Sequence, residues 1–149
     1  MIVIREGNLF GYEHQAYAHG VNSRGRMDAG IAVDFKRRYP KMFRQYKTAC
    51  LDGILKPGDI FFYRAENDEP DVYNLVTQRS LKRAREEFLE EAIKKMYIHS
   101  KRHDITDIAM PEIGCGLGGI DPVFLKDTIN KYFGMSNTYI TIYTRHAAH

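Results

Sequence analysis

Apolar residues recur along the chain in two rhythms. Short β-rich runs at Ile2–Arg5, Gln15–His19, Asp59–Arg64, Asp71–Thr77, Ile105–Met110 and Tyr139–Tyr143 predict six strands. The third and fourth flank the polar turn Ala65–Pro70, which suits a hairpin. Between the runs, helical spacing takes over. Ile31, Phe35 and Tyr39 share one side of a helix for which Asp28 is the expected cap, and Pro40 interrupts it and opens a second carrying Phe43 and Tyr46. Leu89, Ala92, Ile93 and Met96 form the apolar side of a long helix from Arg83 to His99. Asp121 and Pro122 read as the cap and first turn of a last helix, continued by Leu125, Ile129 and Phe133 and stopped before Gly134. Strands interleaved with helices predict a layered α/β domain with helices on both faces of one sheet.

Length adds one constraint: 149 residues support a single sizeable core, so the reading is one domain over residues 1–144 with a short tail at 145–149. A formal net charge of +3 is too small to argue for nucleic acid by itself. Met1–Ile4 gives way at once to Arg5 and Glu6, and no run is long enough to span a bilayer, so the expectation is a cytoplasmic monomer without membrane contact. Cys50 and Cys115 are too few and too far apart for a disulfide scaffold or a zinc site. His14, His19, His99, His103, His146 and His149 lack ligand spacing, and neither a metal nor a cofactor is expected.

Candidate chemistry concentrates in two glycine-bearing loops that leave strands and enter helices. The first runs from His19 to Gly30, where Asn22 can donate to and accept from ribose hydroxyls and the helix beyond Gly30 can face phosphate. The second, Ile113–Pro122, packs four glycines into six residues, a spacing that lets backbone N–H groups converge on an anion. Gly114, Gly116 and Gly119 match the dinucleotide string, but no acidic residue follows at the required strand end, and no lysine and hydroxyl pair makes a triphosphate loop. Cys115 is read as a small residue packed beneath its loop, since no histidine base is placed beside it. Asp28, Asp34, Glu112 and Asp121 are acid or base candidates, with capping an equal explanation for Asp28 and Asp121. Two basic stretches remain: Arg79, Lys82, Arg83 and Arg85, which read equally as an anion contact or a solvated helix start, and Lys36, Arg37, Arg38, Lys41, Arg44 and Lys47, the stronger basic surface.

Taken together, Gly7–Phe10, the His19–Gly30 loop continuing to Lys36, and Met110–Gly119 resemble the macrodomain family, in particular its branch of terminal ADP-ribose protein glycohydrolases and DNA ADP-ribosyl glycohydrolase antitoxins. The resemblance spans Ile2 to about Thr144 and implies a three-layer α/β/α fold with a mixed six-stranded sheet. It implies binding of ADP-ribose or an ADP-ribosylated substrate, either as a reader without chemistry or as a hydrolase. The hydrolase alternatives are a 1''-phosphatase, an O-acyl-ADP-ribose deacylase and a glycohydrolase lacking the usual lysine. Nucleic acid enters only as a modified target or through weak contact with the basic surface. By the resemblance, Asn22, Met27, Gly30 and Ile31 surround the distal ribose and phosphates, and Gly114, Cys115, Gly116, Leu117, Gly118 and Gly119 carry diphosphate donors. Asn8 takes the place of an adenine-binding aspartate, Tyr143 lies on the adenine or ribose side, and Leu9, His19 and Thr77 complete the binding set. The implied catalytic positions are Asn22, Asp28 and Gln78. Gln78 occupies the place of the usual lysine, Gly118 stands where some relatives have an aspartate, and Lys82 lies nearby in sequence.

Overall fold

The computed structural model describes residues 1–80 and 83–145. The chain runs β1 (Ile2–Glu6), a 3-10 turn (Leu9–Gly11), β2 (Ala16–Asn22), α1 (Ile31–Arg38), α2 (Pro40–Leu51), β3 (Ile60–Tyr63), β4 (Asp71–Gln78), α3 (Glu86–Arg102), β5 (Asp107–Pro111), α4 (Pro122–Phe133) and β6 (Tyr139–Thr144). One six-stranded sheet has the order β1-β6-β5-β2-β4-β3, parallel throughout except that β3 runs antiparallel to β4 at one edge. The hairpin expected around residues 65–70 is that antiparallel pair, and its turn is made by Asn67 and Asp68 at positive φ.

Both sheet faces are covered, which is why β2 and β4 are buried along nearly their whole length rather than at alternate residues. On one face Ala16, Ala18, Tyr73, Leu75, Ile108 and Met110 meet Leu89, Ile93 and Met96 of α3 and Leu125, Ile129 and Phe133 of α4. On the other, Tyr17, Val21, Val72 and Val76 meet Phe35 of α1 and Met42 and Tyr46 of α2. This is the three-layer α/β/α arrangement. Among the described residues no helix is long and apolar enough to cross a membrane, and no three His, Cys, Asp or Glu side chains gather as a metal would require. Lys82 and the tail residues 146–149 lie outside the described residues.

Three boundaries differ from expectation. The strand expected to stop at His19 continues to Asn22, because its ladder with β4 runs on through Gly20, Val21 and Asn22. α1 is not capped by Asp28: Gly30, at φ 59° and ψ −146°, occupies the cap position, and the Asp28 carboxylate turns to Arg26 Nε (2.6 Å) and Lys36 Nζ (3.8 Å). The long helix starts at Glu86 and ends at Arg102, three residues later at each end than the apolar spacing suggests, with Glu86 and Glu87 favouring its positive end and His99, Lys101 and Arg102 its negative end. Asp121 does cap α4, its Oδ1 accepting from Val123 N at 2.8 Å.

A polar link crosses the buried sheet. His19 is fully buried, stacked on Phe35 at 3.9 Å, and its Nε2 donates to Asn74 Oδ1 at 2.6 Å, while Asn74 Nδ2 donates to the Phe61 carbonyl. Burial drives the His19 pKa down from 6.5 to about 4, against the opposing bond to Asn74. The folded His19 is therefore neutral, whereas the unfolded residue takes up a proton between pH 6.5 and 4. Its contribution is present in full above pH 6.5 and falls away as the pH drops towards 4, by up to about 3 kcal/mol. Urea unfolding across this window is expected to show that slope, and His19→Phe should flatten it while lowering stability at pH 7, where Asn74 loses its partner.

Candidate ligand-binding cleft

A cleft of about 280 Å³ opens at the carboxyl ends of β2, β4 and β5, between the two glycine loops. Its walls are Gly20–Asn22 and Arg26–Ala32 on one side, Thr77 and Gln78 at the base, and Pro111–Gly114 with Gly116–Gly118 on the other. The register between β2 and β4 shifts at this place: Val21 faces Val76 but Asn22 faces Gln78, leaving Thr77 as the extra residue of a bulge. Bulges of this kind re-aim the side chains at a strand end. Gly20 opens the base of the cleft, because a Cβ there would stand 3.0 Å from Ile113 Cγ2 and 3.3 Å from Thr77 Oγ1.

The first loop is held by one buried amide. Asn22 Oδ1 accepts from the backbone N–H groups of Arg24 (3.0 Å) and Arg26 (3.3 Å), and Nδ2 donates to the Arg26 carbonyl at 2.9 Å. From α2, the buried Tyr46 hydroxyl donates to the Asn22 carbonyl at 2.6 Å. The Asn22 side chain still lines the cleft, but its oxygen is committed to the loop, so only its remaining N–H faces a ligand. The sequence expectation of both donation and acceptance is corrected to donation alone. The loop is also tied to the exit of β4, by Ser23 N to the Gln78 carbonyl at 3.0 Å.

The second loop divides its backbone groups. Cys115 N and Gly119 N turn inward to the Glu112 and Gly116 carbonyls, and Ile120 N closes on the Gly114 carbonyl at 2.8 Å. Gly114, Gly116, Leu117 and Gly118 keep N–H groups with no acceptor among the described residues, and all four line the cleft. The donors implied for the whole of Gly114–Gly119 thus narrow to four, with Cys115 and Gly119 dropping out. Opposite them the first N–H groups of α1, at Ile31 and Ala32, border the same space. Two sets of fixed donors facing one cleft suit a ligand with adjoining anionic groups.

Of the expected site residues, Asn22, Met27, Asp28, Gly30, Ile31, Thr77, Gln78, Gly114, Gly116, Leu117 and Gly118 come together. Others sit elsewhere. Asn8 caps the 3-10 turn through Phe10 N, Leu9 and His19 are core residues, and Gly119 lies outside the lining. Tyr143 is buried in β6 with its hydroxyl 2.7 Å from His14 Nε2. Cys115 is not part of the cleft lining and packs against the core; burial, then the charges of Glu112 and Asp121, push its thiol pKa up to about 11, which disfavours the thiolate a nucleophile needs. Gln78 Nε2 donates to the Ser80 carbonyl. Arg26 and Ala29 line the cleft without having been singled out, since nothing in their types marks them apart from other loop residues.

The Macro domain family pattern matches residues 18–124, and the chain belongs to the Macro domain family. Within that family it lies close to the DarG branch: it superposes on the macrodomain of Thermus aquaticus DarG with a TM-score of 0.88 at 27% identity, covering 96% of this chain and 97% of that one. The macrodomain of Mycobacterium tuberculosis DarG gives 0.89 at 28% identity with the same coverages. Among curated proteins, DNA ADP-ribosyl glycohydrolase of Thermus aquaticus is 32% identical over 134 residues, 88% of this chain and 37% of that protein. Human ADP-ribose glycohydrolase OARD1 is 28% identical over 143 residues, 93% of this chain and 88% of that protein. The chain thus spans little more than a third of the DNA ADP-ribosyl glycohydrolase it matches.

Gly118 cannot be exchanged for the aspartate of some relatives without moving the loop, since a Cβ there would stand 2.5 Å from the Gly114 carbonyl oxygen. Gly116 has open space around it and no positive φ. Thermal unfolding should therefore show Gly118→Ala and Gly118→Asp losing about 1–3 kcal/mol, and Gly116→Ala changing by less than about 0.5 kcal/mol.

Proposed function

We propose that the cleft binds ADP-ribose, free or as the modification on a larger molecule. The observation that carries this reading is the pair of donor sets, Gly116–Gly118 and the first turn of α1, facing each other across one cleft at the strand ends. A diphosphate between two ribosyl units presents adjoining anionic groups to such donors. The names of the curated relatives, DNA ADP-ribosyl glycohydrolase and ADP-ribose glycohydrolase, support the same ligand class.

Chemistry is the less provided part of the site. At position 78 a glutamine replaces the lysine that the resemblance implies, and an amide neither adds to a ribosyl carbon nor serves as a cationic electrophile. Binding without lysine chemistry is therefore the first reading. A second is slow hydrolysis by water, favoured by Asp28 and Glu112, the carboxylates that line the cleft. In that route the carboxylate takes a proton from water as its oxygen bonds to the ribosyl carbon, and the glycosidic bond breaks with its electron pair and a proton going to the leaving group. The same activated water serves a 1''-phosphate or an acyl ester by attack at phosphorus or carbonyl carbon, the bond to the ribosyl oxygen breaking with its electron pair and a proton going to that oxygen.

Calorimetric titration with ADP-ribose should give saturable binding that AMP does not reproduce; no heat with ADP-ribose across conditions would overturn the proposal. Turnover assays on ADP-ribosylated substrates separate the two readings. Asp28→Asn or Glu112→Gln should remove any water-driven turnover while retaining most ADP-ribose affinity, and unchanged substrate after long incubation of the unaltered protein leaves binding alone. Asn22→Ala is a poor probe, because it dismantles the loop as well as the contact. Gln78→Lys should raise glycohydrolase turnover by at least about tenfold if position 78 faces the ribosyl carbon.

A further inference from the structure

Two amide side chains stand together in the cleft, and their polarities are fixed in opposite senses. The register shift at Thr77 sets Gln78, rather than Thr77, beside Asn22. Neighbouring strands run about 4.8 Å apart, so the two side chains share one part of the cleft that both line. Neither is free to turn over. Asn22 Oδ1 is held by the N–H groups of Arg24 and Arg26, and its Nδ2 by the Arg26 carbonyl, which leaves one N–H. Gln78 is held the other way round: its Nε2 donates to the Ser80 carbonyl, and its Oε1 has no donor among the described residues. The Gln78 backbone is anchored as well, its carbonyl accepting from Ser23 N at 3.0 Å. With its nitrogen turned to Ser80, the amide of Gln78 presents its oxygen to a ligand.

Resting on the reading of the cleft as an ADP-ribose site, we propose that Gln78 is a specificity-determining residue for the distal ribose, its Oε1 accepting from one hydroxyl of a vicinal diol while the remaining N–H of Asn22 donates to the other. A hydroxyl both donates and accepts, so two neighbouring hydroxyls satisfy an acceptor and a donor held side by side. A phosphate or ester oxygen in the same place has no proton to give and sets its lone pairs against Oε1. The pair therefore selects an unblocked sugar diol and disfavours an anionic or acylated one there. A lysine at this position would bring only donors, so the glutamine turns the position from donor to acceptor. Both amides are set before the ligand arrives, and little ordering remains to offset their contacts.

The test is a coupling cycle on the whole chain. Calorimetric titrations use ADP-ribose, its 2''-deoxy and 3''-deoxy forms, and ADP, which keeps the diphosphate and lacks the distal ribose. In the unaltered protein, loss of the hydroxyl that Gln78 reads should weaken binding by about tenfold. Gln78→Met keeps the length and removes the acceptor. It should weaken ADP-ribose by a similar factor, leave ADP affinity unchanged, and make that same deoxy form bind as well as ADP-ribose, so that the two losses do not add. A residue that merely holds the loop would weaken every ligand alike. Equal weakening of ADP and ADP-ribose, additive losses, or deoxy forms that both bind the unaltered protein as tightly as ADP-ribose would each overturn the proposal. The last of these needs no variant, and so decides even where Gln78→Met does not fold. Failure of the unaltered protein to bind ADP-ribose overturns the reading of the cleft, whereas ADP-ribose that binds without coupling to position 78 overturns this proposal alone.

Discussion

The hydroxyl of Tyr46 on the carbonyl of Asn22 is the contact on which the site depends. Tyr46 is fully buried in the α2 layer, with its ionised form disfavoured chiefly by burial, so its proton is always available for donation. That donation pins the end of β2 to α2, and the Asn22 side chain then folds residues 24–26 around itself. A loop with three backbone partners satisfied by one amide has little freedom left, and it supplies one wall of the cleft. Removing the Tyr46 hydroxyl costs more than one bond, because the Asn22 carbonyl it leaves is buried.

Much of the architecture is legible in the rhythm of apolar residues. Six strands and four helices stand where the two periods place them, since the sheet is covered on both faces, which buries β4 along nearly its whole length, and α3 has a single apolar side. The boundaries are less legible. Gly20 and Asn22 have the composition of a loop and yet lie in a strand, because pairing with β4 outweighs their low strand propensity. Asp28 has the composition of a cap, but the glycine two residues later takes the conformation that starts the helix. The sheet order and the register shift at Thr77 leave no local signal, as both arise from pairing between distant segments.

The candidate site is legible in a similar proportion. Glycines mark both loops, since close approach of backbone demands them, and the motif residues Asn22, Met27, Gly30 and Gly116–Gly118 do converge. What remains hidden is the direction of each group. Nothing in the letters tells that the amide oxygen of Asn22 is spent within its own loop, or that Cys115 and Gly119 turn their N–H groups inward while their neighbours do not. In the proposed reading, recognition in this cleft rests on main-chain donors held by packing, whereas any reactivity would rest on side chains at 28, 78 and 112, which also line it. The first can persist while the second changes, which is consistent with a family scaffold retained around a glutamine.

The position of β1 has a consequence for how the molecule is made. Ile2 pairs with Ile140 and Glu6 with Thr144, and among the described residues β6 is the only strand beside β1. β1 therefore has no sheet partner until β6, the last of the described strands, has been synthesised. Closing so long a loop is slow, and pairing of this range cannot proceed while the far segment is still inside the ribosome. Meanwhile β2 and β4 can already pair and bury against α1, α2 and α3, so the layer bearing the first glycine loop consolidates early and the second loop, between β5 and α4, docks onto it afterwards. The cleft is completed late in biogenesis, and the nascent protein is blind to its ligand until then.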